Sequence, residues 1–179
     1  MSASQLETKN LRLVSHAPEH LRGLIQGPEL YARSFGFQPA KGLRDFVVSK
    51  DVSPEWLARL EASTEADPWI HGFGLVHLAS GSVIGMGSFY GPPGEDGVVE
   101  IAYGVVPDFQ GKGYATEAAQ ALVAFAFSGG QVRVVRAHTL PESNASTRVL
   151  TKCSFRFVGE VMDPKDGLVW RWEKHREAP

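Results

Sequence analysis

The apolar positions of this chain change between a spacing of two residues, typical of strands, and the spacing of three and four that is typical of helices. Near the start, Leu11 and Leu13 alternate with polar neighbours and predict a short strand, and Pro18 opens a helix. A Ser-Pro pair at residues 53–54 predicts another helix, with the serine as its N-cap. Residues 27–51 show no period, so we expect them to be irregular or loosely helical.

The middle of the chain has the period of strands. Residues 73–78 and 83–90 alternate on either side of the turn at residues 79–82, and together they predict a β-hairpin. The glycine- and proline-rich residues 91–97 break the pattern, and residues 98–106 resume it. We therefore expect three consecutive antiparallel strands.

The next segment predicts a helix between two strands. Residues 114–128 contain six alanines, and their few polar members cluster on one side, so this helix is expected to pack closely on a sheet. Residues 132–139 read as the following strand, and a right-handed crossover would place it parallel to a neighbour. A short helix capped by Ser143 or Asn144 is then expected to run to Cys153.

Composition and charge remove several classes of function. A net charge of −2, with no run of Lys or Arg, gives no attraction to nucleic acid. The longest apolar stretch, residues 118–127, is about half the length that a bilayer requires, and the first ten residues lack a secretory signal. We expect one domain over residues 1–179, without a membrane segment and located in the cytoplasm.

Metal and disulfide chemistry are not expected. Cys153 is the single cysteine, which excludes an internal disulfide and a cysteine-based metal cluster. His71, His77 and His138 lack the spacing of metal ligands, and strand histidines are mostly structural, so they are given no role. No metal site is predicted.

The stretch VVPDFQGKGYATE joins a predicted strand to the alanine-rich helix. Gly111 and Gly113 lack the Cβ atoms that would keep an anion away from backbone N–H groups at a helix N-terminus, and Lys112 adds a cation. No acid occurs in residues 109–116. The stretch therefore predicts a phosphate site; the alternative is that the glycines only shape a turn.

Two common phosphate loops do not fit this stretch. A P-loop would need glycine at Val106 and Ser or Thr at Gly113. The dinucleotide fingerprint would need a third glycine at Thr116 and an acid about twenty residues on, where residues 133–138 offer none.

What remains resembles the pyrophosphate motif of the GNAT superfamily of acyl-CoA-dependent N-acetyltransferases, Gln/Arg-x-x-Gly-x-Gly/Ala, at residues 110–115. The order of elements around it is similar to the ribosomal-protein N-terminal acetyltransferases, the RimJ/RimL-like branch. The resemblance covers residues 6–172 except for 27–51. It implies an α/β (α+β) single-domain fold, with a mixed, mostly antiparallel central sheet flanked by helices and a splayed strand pair that holds acyl-CoA.

The resemblance also implies a set of residues that bind acetyl-CoA as cosubstrate. The loop would hold the pyrophosphate on its amides, the end of the preceding strand would hold the pantetheine arm, and an asparagine at the start of a helix would contact that arm. For the asparagine, the alternative is an ordinary helix cap. The loop residues are Gln110, Gly111, Lys112, Gly113, Tyr114 and Ala115, the strand residues are Ala102, Tyr103, Gly104 and Val105, and the asparagine is Asn144.

Two residues are candidates for proton transfer. Glu100 lies on the strand before the loop and could accept the proton of the amine, directly or through water; the alternative is a strand glutamate in an ion pair. Many family members protonate the leaving thiolate with a tyrosine, but Leu150 stands there. Ser146, one turn earlier, corresponds to the serine that this branch uses instead; the alternative is a surface hydroxyl. Ser154 also replaces a common glycine.

The expected reaction is acetyl transfer to a primary amine. Deprotonation at pH 7 costs roughly 1 kcal/mol for an α-amine of pKa about 7.8 and roughly 5 kcal/mol for a lysine of pKa about 10.4, so a weak base favours a peptide N-terminus without excluding lysine. The alternatives are a non-catalytic acyl-CoA-binding module and the transfer of another acyl group.

Two further expectations concern surfaces. The acceptor pocket is expected to be built by residues 31–51 and 91–97. Residues 155–161 and 168–172 predict a closing hairpin, whose edge strands leave a homodimer open.

Overall fold

The computed structural model describes residues 5–50 and 52–177, and within them the chain folds as strands of one sheet with helices packed against it. The strands are β1 (Gln5–Glu7), β2 (Leu11–Ser15), β3 (Gln38–Pro39), β4 (Phe73–His77), β5 (Ser82–Phe89), β6 (Val98–Val105), β7 (Val134–Thr139), β8 (Arg156–Asp163) and β9 (Gly167–His175). The helices are α1 (Pro18–Gln26), α2 (Pro28–Phe35), α3 (Asp45–Val48), α4 (Pro54–Ala62), α5 (Pro68–His71), α6 (Tyr114–Ser128) and α7 (Ala145–Lys152), with a 3₁₀ turn at Pro107–Phe109.

The sheet is mixed and mostly antiparallel, as predicted. Its strands follow the order β1-β2-β4-β5-β6-β7-β9-β8, and β3 pairs with β5 outside this path. Only β3 with β5 and β6 with β7 run parallel among the described strands. Since β6 and β7 are joined through α6, the predicted strand-helix-strand crossover is confirmed.

The two parallel strands β6 and β7 separate after three residues. Their pairing runs from Val98 with Val134 to Glu100 with Arg136. Beyond Glu100, β6 remains paired with β5 on its other side, and β7 remains paired with β9 along its whole length. Each strand is therefore held firmly on one edge while the edges that face each other are left open. The predicted splayed pair is present.

Helix α6 packs on this sheet through small and aliphatic side chains. Ala118, Ala119 and Leu122 are fully buried. Alanine lets the helix axis approach the strands closely, and full burial of a side chain such as Leu122 contributes about 1.5–3 kcal/mol. The packing fixes the N-terminus of α6 at the end of β6, where the glycine loop lies.

Residues 27–51, predicted to be irregular or loosely helical, contain two defined helices and a short strand. Helix α2 begins at Pro28 and has Gly36 as its C-cap. Proline at the start and glycine after the end are ordinary helix signals, but the segment shows no period that would have drawn attention to them. Tyr31 is fully buried and Val47 nearly so, so the segment belongs to the core. Phe46 covers β6 so closely that a Cβ on Gly104 would stand 2.6 Å from its ring. Asp51 lies outside the described residues.

The closing hairpin is longer than predicted, since β8 and β9 pair from Arg156 with Glu173 to Asp163 with Gly167. Strand β8 is the outer strand at one edge of the sheet and exposes Phe157 and Met162. The homodimer stays a prediction.

No helix in the described part of the chain is long and apolar enough to cross a membrane.

Candidate active site

A cavity of about 660 Å³ opens where β6 and β7 separate. Both strands contribute side chains to it, and so do helix α7 and the turn between β8 and β9. Among its lining residues are Tyr90, Glu100, Ala102, Tyr103, His138, Thr139, Ser146, Asp163 and Asp166. Residues 31–51 and 91–97 do not line this cavity, although the acceptor pocket was expected there. Tyr31 in particular is buried in the core.

The loop before α6 presents unpaired backbone donors. Gly111 and Gly113 have φ angles of 76° and 86°, in the left-handed region that favours glycine, and no atom lies within 4 Å of where their Cβ atoms would stand. No side chain caps α6, and its first backbone bond runs from Glu117 N to the Gly113 carbonyl at 3.1 Å. Within the described residues, no acceptor therefore contacts the N–H groups of residues 111–116, and the cradle for an anion is open.

Gln110 fastens this loop to the end of β6. Its side-chain Nε2 donates to the Val105 carbonyl at 2.8 Å. The hydrogen bond explains why glutamine suits the first position of the motif, since its amide bridges loop and strand. The Val105 carbonyl is consequently already engaged within the protein.

The first turn of α6 is also held from beneath. Glu117 accepts hydrogen bonds from the Thr8 hydroxyl at 2.5 Å, the Asn10 side chain at 2.7 Å and the Asn10 backbone at 2.9 Å. Burial raises the pKa of Glu117, but these hydrogen bonds outweigh it and the pKa is lowered overall. The Tyr114 hydroxyl lies 3.0 Å from His77 Nε2, so His77 also supports this end of the helix. The helix terminus is thereby preorganised.

Glu100 is the last residue of β6 that pairs with β7, and it lies on the cavity wall. Its Oε2 is 2.9 Å from His138 Nδ1, while Oε1 has no partner among the described residues. The side chain of Glu100 is 29% exposed, so solvent and a substrate can both reach it. His138, which was given no role, therefore lies beside the candidate base, and only the register of β6 against β7 brings the two together.

Tyr103 and Ser146 also line this cavity. Burial raises the pKa of Tyr103 to about 12, and the nearby Ser146 side chain opposes this rise. Tyr103 is three residues from Glu100 and so points to the opposite face of the strand, but the gap between the strands exposes both faces to one cavity. The sequence did not single out the Tyr103 side chain.

The structure supports the helix-cap interpretation of Asn144. Its Oδ1 accepts from Thr147 N at 3.0 Å, and its own N–H donates to the Thr147 hydroxyl at 2.9 Å, which forms a capping box at the start of α7. The side-chain nitrogen of Asn144 and the second lone pair of Oδ1 remain for a contact with a cosubstrate. Leu150 is fully buried, so no acid occupies the place of the usual tyrosine.

At the end of α7, a serine stands in a backbone conformation that favours glycine. Ser154 has φ of 66° and is the one residue other than glycine with positive φ among the described residues. The chain makes the glycine-type turn nevertheless, because Phe155 N donates to the Leu150 carbonyl at 2.9 Å. The turn is therefore formed although serine replaces the common glycine.

An open helix N-terminus beside a splayed parallel pair is the arrangement of an acetyltransferase fold. The chain belongs to the acetyltransferase (GNAT) domain family, whose profile matches residues 10–156. Part of the chain, 102 residues or 57%, is 30% identical to the uncharacterized N-acetyltransferase p20 of Bacillus licheniformis, and the match spans 53% of that relative. The chain thus spans about half the length of this curated relative.

Solved structures confirm the fold. The RimL ribosomal alpha-N-protein acetyltransferase in complex with coenzyme A superimposes with a TM-score of 0.65 at 17% identity, over 96% of this chain and 98% of that structure. The ribosomal-protein-S5-alanine acetyltransferase of Vibrio fischeri superimposes with a TM-score of 0.66 at 16% identity, over 96% of each chain. In fold, the chain is therefore similar to the RimJ/RimL-like branch.

Proposed function

We propose that this protein is an acetyl-CoA-dependent N-acetyltransferase that acts on a primary amine. The observation that carries the proposal is the open cradle of N–H groups at residues 111–116, placed at the end of a splayed strand pair. An anion of phosphate size is favoured at such a helix N-terminus, and Lys112 adds positive charge at the rim. Membership of the GNAT domain family supports the same cosubstrate.

Two groups of residues would bind the two parts of acetyl-CoA. The N–H groups of Gly111, Lys112, Gly113, Tyr114 and Ala115 would hold the pyrophosphate, and the open edge of β6 at Ala102, Tyr103 and Gly104 would bind the pantetheine arm. Acetyl-CoA supplies the activated thioester. The open edge of β6 also contributes Ala102 and Tyr103 to the cavity between β6 and β7.

Two side chains at the cavity are assigned to proton transfer, Glu100 on β6 and Ser146 on α7. Oε1 of Glu100, which has no hydrogen-bond partner within the described residues, would accept the proton that leaves the ammonium group of the acceptor. The Ser146 hydroxyl, which lines the cavity together with Tyr103, would be the donor for the leaving thiolate. Tyr103, whose raised pKa of about 12 keeps its hydroxyl protonated at neutral pH, would return a proton to Ser146 and regain one from solvent.

We favour a peptide N-terminus as the acceptor. A carboxylate is a weak base, and an α-amine of pKa about 7.8 needs far less help to lose its proton than a lysine does. One neighbour in fold, RimL, is named as an alpha-N-protein acetyltransferase, which is in line with this choice. Thiol release with peptides and with small primary amines compares the two classes of acceptor directly.

A non-catalytic acyl-CoA-binding module is the second candidate, because the buried Leu150 removes the usual acid. Calorimetry with acetyl-CoA tests the cradle, and thiol release in the presence of a panel of peptides and small amines tests turnover. Binding with turnover supports the enzyme, while binding without turnover over the whole panel supports the module. No binding by calorimetry and by a second titration overturns both. Mass analysis of the product tells acetyl transfer from that of another acyl group.

A further inference from the structure

A line of three polar side chains crosses the wall of the cavity from β6 to β9. Glu100 Oε2 is 2.9 Å from His138 Nδ1, and Arg171 Nε is 3.0 Å from His138 Nε2. The strand register produces this line, since His138 is paired directly with Arg171 and the β6–β7 pairing ends at Glu100. All three residues are partly buried.

The chemistry of arginine fixes the state of the imidazole. A guanidinium only donates hydrogen bonds, so His138 Nε2 must accept and cannot carry a proton while this contact is made. The proton of the neutral ring is then on Nδ1, where it donates to Glu100 Oε2. The direction of every hydrogen bond in the line follows from the donor at its far end.

We propose that His138, oriented by Arg171, is a positioning residue that holds Glu100 with Oε1 directed to the acceptor amine. The proposal rests on the proposed function of the same site. In the proton transfer, an N–H bond of the ammonium group breaks, an O–H bond forms on Oε1, and the carboxylate becomes a neutral carboxylic acid. His138 keeps its bond to Oε2 throughout.

His138 does not relay the proton further. Its Nδ1 already carries a proton, and its Nε2 lone pair is occupied by Arg171. The proton taken up by Glu100 therefore returns to solvent through the open cavity. This separates His138 from a relay histidine, which would have to accept a proton from the carboxyl group.

Two substitutions divide the contacts of His138 between them. In His138→Asn, the amide nitrogen can take the place of Nδ1 and still donate to Glu100, but nothing reaches Arg171. In His138→Gln, the longer side chain can reach Arg171 but offers no donor near Cβ for Glu100. Glu173→Gln is the matched control, because Glu173 accepts from Arg136 at 2.8 Å between the same two strands, away from the residues that line the cavity.

The activity test measures kcat and the KM for acetyl-CoA in each variant. We expect His138→Asn and Glu173→Gln to keep most of the wild-type kcat, and His138→Gln to lose about 10²-fold in kcat with unchanged KM, as a misplaced catalytic group does. Full kcat in His138→Gln, or equal losses in all three variants, would overturn the proposal, because either result indicates a purely structural contact.

The spectroscopic test is independent of activity. Long-range ¹H–¹⁵N correlation spectra of the labelled protein report which imidazole nitrogen carries the proton, and the signal missing in His138→Asn identifies His138 among the six histidines. We expect a protonated Nδ1 and an unprotonated Nε2, and a shift toward the other tautomer in Arg171→Met. A protonated Nε2 in the wild type overturns this proposal alone, whereas absent turnover with the expected spectrum overturns only the proposed function.

Discussion

The open cradle before α6 can be tested by a pair of matched glycine substitutions. Gly111 and Gly130 have φ of 76° and 78°, and at both positions a Cβ would meet no atom within 4 Å. Gly111 lies in the loop, and Gly130 lies just past the other end of α6. The fifteen residues of α6 separate the two glycines by about 20 Å. Alanine at either position therefore meets the same backbone strain, but only at residue 111 does its methyl group enter the cradle.

The strain and the binding loss have different magnitudes. Left-handed backbone costs alanine about 1–2 kcal/mol, of which about 0.4–1 kcal/mol is offset by the reduced entropy of the unfolded chain. Both variants should therefore lose about 1 kcal/mol of stability. A methyl group that displaces a phosphate from one N–H removes a charged hydrogen bond, which contributes about 1.5–3 kcal/mol. The Kd for coenzyme A should then rise about 10- to 150-fold in Gly111→Ala.

The assay combines thermal unfolding with calorimetric titration of coenzyme A. We expect similar decreases in Tm, about 2–4 °C, in Gly111→Ala and Gly130→Ala, and weakened binding in Gly111→Ala alone. Wild-type affinity in both variants would contradict a role of the cradle in binding. An equal loss of affinity in Gly130→Ala and Gly111→Ala would contradict it too, because the effect would then come from strain in the helix and not from the cradle.

Three other outcomes are expected. Ser154→Gly should raise Tm by about 1–4 °C, because glycine relieves the left-handed strain at φ 66° and gives back part of that gain as entropy of the unfolded chain; an unchanged or lower Tm would contradict this. Burial, with His20 nearby, lowers the pKa of His16 to about 3. Its folded pKa is below its unfolded value, so its stabilising contribution is complete above pH 6.5 and is lost as the pH falls toward 3. The free energy of unfolding should therefore fall by about 2 kcal/mol more between pH 7.5 and 5.0 in the wild type than in His16→Gln, which can still reach the Tyr31 hydroxyl; equal decreases in denaturant unfolding would refute the assignment. Tyr103→Phe removes the phenol hydroxyl that lines the cavity with Ser146 and should lower kcat by at least about 10-fold at unchanged KM for acetyl-CoA in steady-state assays, whereas an unchanged kcat would remove Tyr103 from proton transfer.

Much of the fold was predictable because its signals are local. Alternating apolar residues predicted β4, β5 and β6, and the alanine-rich segment predicted α6. Each of these patterns depends only on which neighbours along the chain share a face. The segment 27–51 was predicted only as irregular or loosely helical, and its two defined helices were not recognised because they are short: α2 has eight residues and α3 has four. A period cannot be recognised over so few residues, although Pro28 marked a helix start.

The acceptor side of the site was the least predictable. The cavity lies between β6 and β7, and the turn between β8 and β9 closes it with Asp163 and Asp166, two residues that carry no motif. Their proximity to Glu100 depends on three strands that are far apart in sequence. The acceptor pocket was expected at residues 31–51, none of which lines this cavity, and Tyr31 among them is instead buried in the core.

The sequence by itself determined the cradle, because the positions of Gly111, Lys112 and Gly113 between a strand and a helix need only local backbone geometry to leave N–H groups unpaired. It also supplied Glu100 and Ser146 as candidates. Only the tertiary structure decided what surrounds them. His138 and Arg171 are joined to Glu100 through strand register, which depends on long-range hydrogen bonding and on the early separation of β6 from β7, and no local pattern in the sequence records that separation.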